Sequence, residues 1–128
     1  MARGKAREPR KIDGEVYLLR IELDGKSVIK IGTTNRCALK RALELSEAIH
    51  GVYKFLPKIE ILRNDRTHNN YVVEAALLER LKEHRYYPAF EFDGCSELVE
   101  CDLTIVELAY VECMNADYPA QVRNLIEI

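Results

Sequence analysis

Long apolar runs are missing from this chain. No stretch of its 128 residues is apolar for long enough to cross a membrane, and the N-terminus lacks the apolar core of a signal peptide. Membrane-spanning and secreted classes are thereby set aside, and a soluble, cytoplasmic protein is expected. Cysteine is sparse. Cys37, Cys95, Cys101 and Cys113 form no C-x-x-C pair, and Cys95 and Cys101 stand too far apart for the usual zinc spacing. Reduced thiols are expected instead of a disulfide or zinc scaffold. There is no internal repeat and no low-complexity segment, so the length suits one compact domain.

Positive charge is nearly absent from the last third. Residues 1–85 hold 18 Lys and Arg against 12 Asp and Glu, whereas residues 86–128 hold 1 against 9. The net charge of -2 conceals this division. It implies either a basic face suited to phosphate beside an acidic end that repels it, or two merely solvated faces. The opening "MARGKAREPRK" is basic and lacks periodicity. Residues 1–13 are expected to form a flexible arm, either tracking phosphates or simply frayed. Residues 14–128 are expected to form the single domain, with an acidic C-terminal extension.

What is present reads as alternating strands and helices. "EVYLLRIEL", "DG" and "KSVIKIG" predict a β-hairpin, with Asp24-Gly25 supplying the positive φ angles of a tight turn. "NRCALKRALELSEAIHG" predicts a helix with Thr34 or Asn35 as N-cap and Gly51 near its end. "VYKFLPKIEILR" predicts a third strand, confined to an edge or split by Pro57. "NDRTHNN" reads as a loop and "YVVEAALLERLKEHRYY" as a second helix. "FEFDG" and "ELVEC" suit short strands, and Phe90 and Phe92 alternate as core residues do. "TIVELAYVECMNA" predicts a third helix before a short terminal segment. The fold class is α+β, a small antiparallel sheet with helices packed on it.

A two-residue loop at Asp24-Gly25 sets Tyr17 opposite Gly32 and Leu19 opposite Lys30. Tyr17, Lys30 and Gly32 then share one face of the hairpin. A phenol and an amine would flank the open space over a glycine. The same residues also suit an ordinary half-exposed hairpin. A three-residue loop would break the parity.

Each helix carries one charge out of pattern. Arg36, Lys40, Glu44 and Glu47 form a solvated stripe with a Lys40–Glu44 pair. Arg41 instead projects from the edge of the apolar face, beside Cys37, Ala38, Leu45 and Ala48. In the second helix Glu74 has Tyr71, Leu78 and Leu81 as helical neighbours. A half-buried carboxylate needs a cation, a donor or a metal. An ion pair with Arg41 and a metal site both satisfy it.

Taken together, "EVYLLRI", "VIKIGTTNRCALKRALEL" and "VVEAALLERLKEHR" resemble the GIY-YIG nuclease superfamily, in particular its phage and bacterial branch with K-I-G as the second motif. "EVY" stands for GIY with the glycine displaced to Gly14, and "KIG" stands for YIG. The resemblance covers roughly residues 14–92 of the sequence. It implies a three-stranded antiparallel sheet flanked by helices. It also implies a metal-dependent endonuclease that hydrolyses phosphodiester bonds in DNA. Tyr17, Lys30, Arg41 and Glu74 would be the catalytic residues, with Mg2+ or another divalent cation on Glu74. Tyr17 would act as base or activator, Lys30 would orient the nucleophile or bind phosphate, and Arg41 would hold the scissile phosphate. The phenol would be acidified by Lys30, Arg41 and the metal. Gly32, Thr34 and His50 would line the substrate, although a helix-end histidine also serves as a favourable C-terminal charge. Tyr53 follows His50 within reach. The family's late asparagine has only Asn115 and Asn124 as candidates, without motif support. Glu91, in the segment after the glutamate helix, would be a supporting acid.

The partner implied is the DNA backbone, in a bacterial cell or a phage-infected host. Sequence specificity would call for a homodimer. The alternative is a non-catalytic nucleic-acid- or protein-binding module on the same fold, with the acidic C-terminal part contacting a protein.

Overall fold

The computed structural model describes residues 14–126, with side chains to residue 116. The arm expected over residues 1–13 lies outside the described residues. Ten residues alternating toward two buried faces make β1, Gly14–Leu23. It turns at Asp24 (φ 55°) and Gly25 (φ 72°) into β2, Lys26–Thr34. The loop therefore has two residues, and Tyr17 stands opposite Gly32 and Leu19 opposite Lys30. Helix α1, Ala38–Tyr53, leads to edge strand β3, Ile59–Thr67. Helix α2, Asn70–Arg80, is followed by a 3-10 turn at Lys82–His84. A second 3-10 turn at Cys95–Glu97 precedes a two-residue strand, β4, Leu98–Val99. Helix α3, Leu103–Ile126, ends the described chain.

The sheet is antiparallel throughout, with strand order β3-β1-β2-β4. It thus has one strand more than the resemblance implies. "ELVEC" supplies that strand, whereas "FEFDG" forms none.

Two cores sit on the two sheet faces. Val16, Leu18, Ile29 and Ile31 meet Val73 and Leu77 of α2 and Val106, Ala109, Tyr110 and Cys113 of α3. Tyr17, Leu19, Ile21, Leu23 and Val28 meet Ala38, Ala42, Leu45 and Ile49 of α1. The helical positions repeat at three and four residues, so each helix buries one stripe.

Several boundaries differ from expectation. The N-cap of α1 is Cys37, not Thr34 or Asn35, and the Glu15 carboxylate accepts from Ala38 N–H at 3.0 Å. Gly51 lies inside the last turn, and Lys54 takes the left-handed position at φ 67°. Val52 and Tyr53 end α1, and residues 54–58, with Pro57, link it to β3. "NDRT" prolongs β3, because Tyr110 of α3 covers its inner face by donating to Asp65 Oδ2 at 2.7 Å. The third helix runs well past Ala116. Phe92 is core, but Phe90 is 58% exposed.

The acidic stretch folds back on the basic part. Glu97 pairs with Lys30, Glu100 with Lys26, Glu107 with Arg63 and Glu112 with Arg80. Among the described residues, acids of the last third thus meet cations of the first part, in one half-buried pair and three exposed ones.

Candidate active site

Tyr17 is held by the hairpin and by α1. Its side chain is 2% exposed and its ring lies directly over Gly32. A Cβ on Gly32 would fall 2.4 Å from both Tyr17 Cζ and Oη. Only a glycine leaves room for the phenol there. Tyr17 is hydrogen-bonded to Arg41, which reaches in from the first turns of α1. Arg41 also donates from Nη1 to Glu44 Oε1 at 2.5 Å.

Lys30 is the only charged residue in the buried class among the described residues. Its Nζ donates to Glu97 Oε1 at 2.5 Å and to the Gly94 carbonyl at 2.8 Å. Glu74 arrives from α2, which packs on the opposite face. Strand β4 pairs only with Ile29 and Lys30, leaving the outer edge of β2 beyond Lys30 without a strand partner among the described residues. Glu74 hydrogen-bonds to Thr33 beside that edge, and the charges of Glu97 and Lys30 act on it. Tyr17, Lys30, Gly32, Arg41 and Glu74 thus come together at one end of the sheet.

A sequence model of the T5orf172 domain matches residues 14–114, the stretch that carries this cluster. The chain belongs to the T5orf172 domain family. Comparison with curated proteins and with solved structures finds no match. The T5orf172 domain is phage-associated and nuclease-like, and its β1–β2 hairpin, α1 and α2 supply the clustered residues.

Electrostatics divide these groups. Burial pushes the Tyr17 phenol above its ordinary pKa, and the Arg41 contact only partly offsets this. Lys30 is paired with Glu97, and at the phenol burial outweighs Arg41. Burial also raises Glu74, reinforced by the Glu97 charge and opposed by Lys30 and Thr33. For Glu97 burial pushes upward too, but the hydrogen bonds from Lys30 and Ser96 outweigh it and its pKa falls.

Glu74 makes no ion pair with Arg41. Arg41 serves Tyr17 and Glu44, and Glu44 also binds Arg36 through both oxygens at 2.9 and 3.0 Å. The expected Lys40–Glu44 pair gives way to this arginine pair, which draws Glu44 down to a pKa of about 2. Among the described residues no three His, Cys, Asp or Glu side chains gather into a metal cage.

Other sequence candidates lie apart. Thr34 is buried on the site face, but its Oγ1 accepts from Arg36 N–H at 3.0 Å and shapes the turn. His50 is exposed, about 14 Å along α1 from Arg41 at 1.5 Å per residue. Tyr53 donates to Asp24 Oδ1 at 2.9 Å, at the hairpin turn. Asn115 lines a cavity with Arg63, Asp65 and Tyr110 behind the sheet. The Asn124 side chain lies outside the described residues. Glu91 is exposed. The acid that does pair with Lys30 is Glu97, which is not among the sequence candidates. Its only signal is an acid directly before an apolar pair that can extend the sheet.

Proposed function

We propose that this T5orf172 domain is a GIY-YIG-type, metal-dependent endonuclease that hydrolyses phosphodiester bonds in DNA. The observation that supports the reading is a phenol, an ammonium, a guanidinium and a half-buried carboxylate near one end of the sheet.

Glu74 fits a divalent cation such as Mg2+. Mg2+ needs only one or two protein carboxylates and takes its other ligands from water and phosphate. A carboxylate whose ionised form is penalised by burial and by Glu97 gains from a nearby cation. When bound, the ion would neutralise charge developing on the scissile phosphate.

The chain's own groups divide the remaining work. Tyr17, a phenol hydrogen-bonded to Arg41, orients the attacking water, whose proton passes to solvent while a solvent proton reaches the leaving 3′-oxygen. Arg41 spends donors on Tyr17 and Glu44 and has others for a phosphate oxygen, since a guanidinium carries five. Those contacts stabilise charge on the phosphate as the 3′-oxygen leaves. Lys30, donating to two acceptors, serves to stabilise charge developing on the phosphate and not as a base.

Affinity would come mainly from backbone contacts, so binding would weaken steeply with salt. Sequence-specific cutting would call for two copies. A non-catalytic nucleic-acid-binding module is the second reading. It is favoured by the pairing of Lys30 with Glu97 and of Arg41 with Glu44, which leaves both cations neutralised.

The test is cleavage of plasmid DNA, linear duplex and RNA with and without Mg2+, comparing the wild type with Tyr17→Phe. Expected are Mg2+-dependent cuts in DNA ending in 3′-hydroxyl and 5′-phosphate, and at least about a 100-fold loss in Tyr17→Phe. Retained DNA binding with no cleavage of any substrate would favour the second reading.

A further inference from the structure

Lys30 is buried, and a buried ammonium must find acceptors. Two are supplied by one short segment, through Glu97 Oε1 and the Gly94 carbonyl. That segment is itself fixed. Glu97 Oε2 accepts from Ser96 Oγ at 2.5 Å, and Cys95 N–H donates to the Phe92 carbonyl at 3.1 Å. Phe92 is anchored in the α1 core. Gly94 stands at φ 99°, a conformation that a side chain would strain.

Strand register fixes the contact as well. Leu98 is the β4 partner of Lys30, and Glu97 immediately precedes it. Any shift of β4 along β2 would take the carboxylate away from Nζ. The side chain of Glu97 is 31% exposed and that of Lys30 5%, so the ammonium is the buried member of the pair.

We propose that Glu97 is a positioning residue for this site, holding Lys30 Nζ with one of its three N–H donors free for a phosphate oxygen. The inference rests on the nuclease reading. The Gly94 carbonyl fixes the second donor, and Glu97 balances the charge. Lys30 is thereby a donor at a set position before substrate arrives. Glu97 acts through Lys30 and need not touch DNA. Its loss should lower turnover at saturating DNA more than it weakens DNA binding.

Two measurements on the full chain test this. The first is the rate of reductive methylation of Lys30, read by mass spectrometry of native protein in wild type and Glu97→Ala. The second is cleavage kinetics with Mg2+ for wild type, Glu97→Ala and Glu97→Gln. Lys30 should be modified on the order of tenfold faster in Glu97→Ala, since breaking a buried pair frees the amine. The kcat should fall about 10- to 100-fold, as a displaced catalytic group costs. The KM should stay within about twofold, the sign of an interaction made in the transition state. Glu97→Gln keeps an acceptor oxygen and should recover part of the loss. If Glu97→Ala fails to fold, Glu97→Gln carries both readouts, with intermediate effects expected.

Equal Lys30 modification in wild type and variant, or unchanged kcat, overturns the proposal. A loss confined to KM overturns it too. A wild type that cleaves nothing overturns the nuclease reading, and Lys30 modification then still decides whether Glu97 holds the ammonium.

Discussion

Glycine and carboxylate are the two residue types that shape this site. Gly32 is where the Tyr17 ring rests, so Gly32→Ala must push the phenol aside. Overpacking of this kind costs about 1–3 kcal/mol. Thermal melting should show that loss, and cleavage should fall further than the melting shift explains. Glu74 gives a prediction of opposite sign. Its folded pKa is raised above 4.5, so its contribution to stability is fully present below that pH and is lost as pH rises through the folded value. At pH 7 the ionised carboxylate costs stability. Glu74→Gln should therefore melt at or above the wild-type temperature while losing cleavage. A clear fall in melting temperature would contradict this electrostatic account of Glu74.

The hairpin is the element most legible in the sequence. Asp24-Gly25 can form a two-residue turn, and that length alone fixes which side chains share a face. The placement of Tyr17 with Lys30 and Gly32 followed from it. Boundaries set by distant contacts were not legible. Glu15 caps α1 from 23 residues away, and Tyr110 sustains the polar end of β3 from 45 residues away. Neither partner leaves a local pattern. The cap has a testable value: Glu15→Ala should destabilise by about 1 kcal/mol, as loss of an N-terminal cap does. Urea denaturation checks this, with no change expected in the hairpin register.

At the scale of the whole molecule, the chain separates its charges in sequence and joins them in space. Composition revealed the separation. It could not reveal the joining, because Lys30 and Glu97 lie 67 residues apart and meet only through the β2–β4 register. For the same reason the sequence points to Glu91, which lies exposed, and not to Glu97. Glu97 and, within the first part, Glu44 with its two arginines make acid stability predictable. The Glu97 and Glu44 pKa values lie below 4.5, that of Glu44 at about 2. Each stabilises the fold above pH 4.5 and loses that contribution as pH falls through its folded value. Urea midpoints should drop from pH 6 toward pH 3, and less steeply in Glu97→Gln. A parallel drop in that variant would remove Glu97 from the acid response.

The central claim is that Glu74 completes a phosphodiester-hydrolysing site with Tyr17, Lys30 and Arg41. Its most direct test is the single-turnover rate of plasmid nicking in Mg2+, wild type against Glu74→Ala. Nicking by the wild type, abolished by chelation and reduced at least about 1000-fold in Glu74→Ala, is the expected result. Equal rates in the two proteins, or no nicking by the wild type, would contradict it.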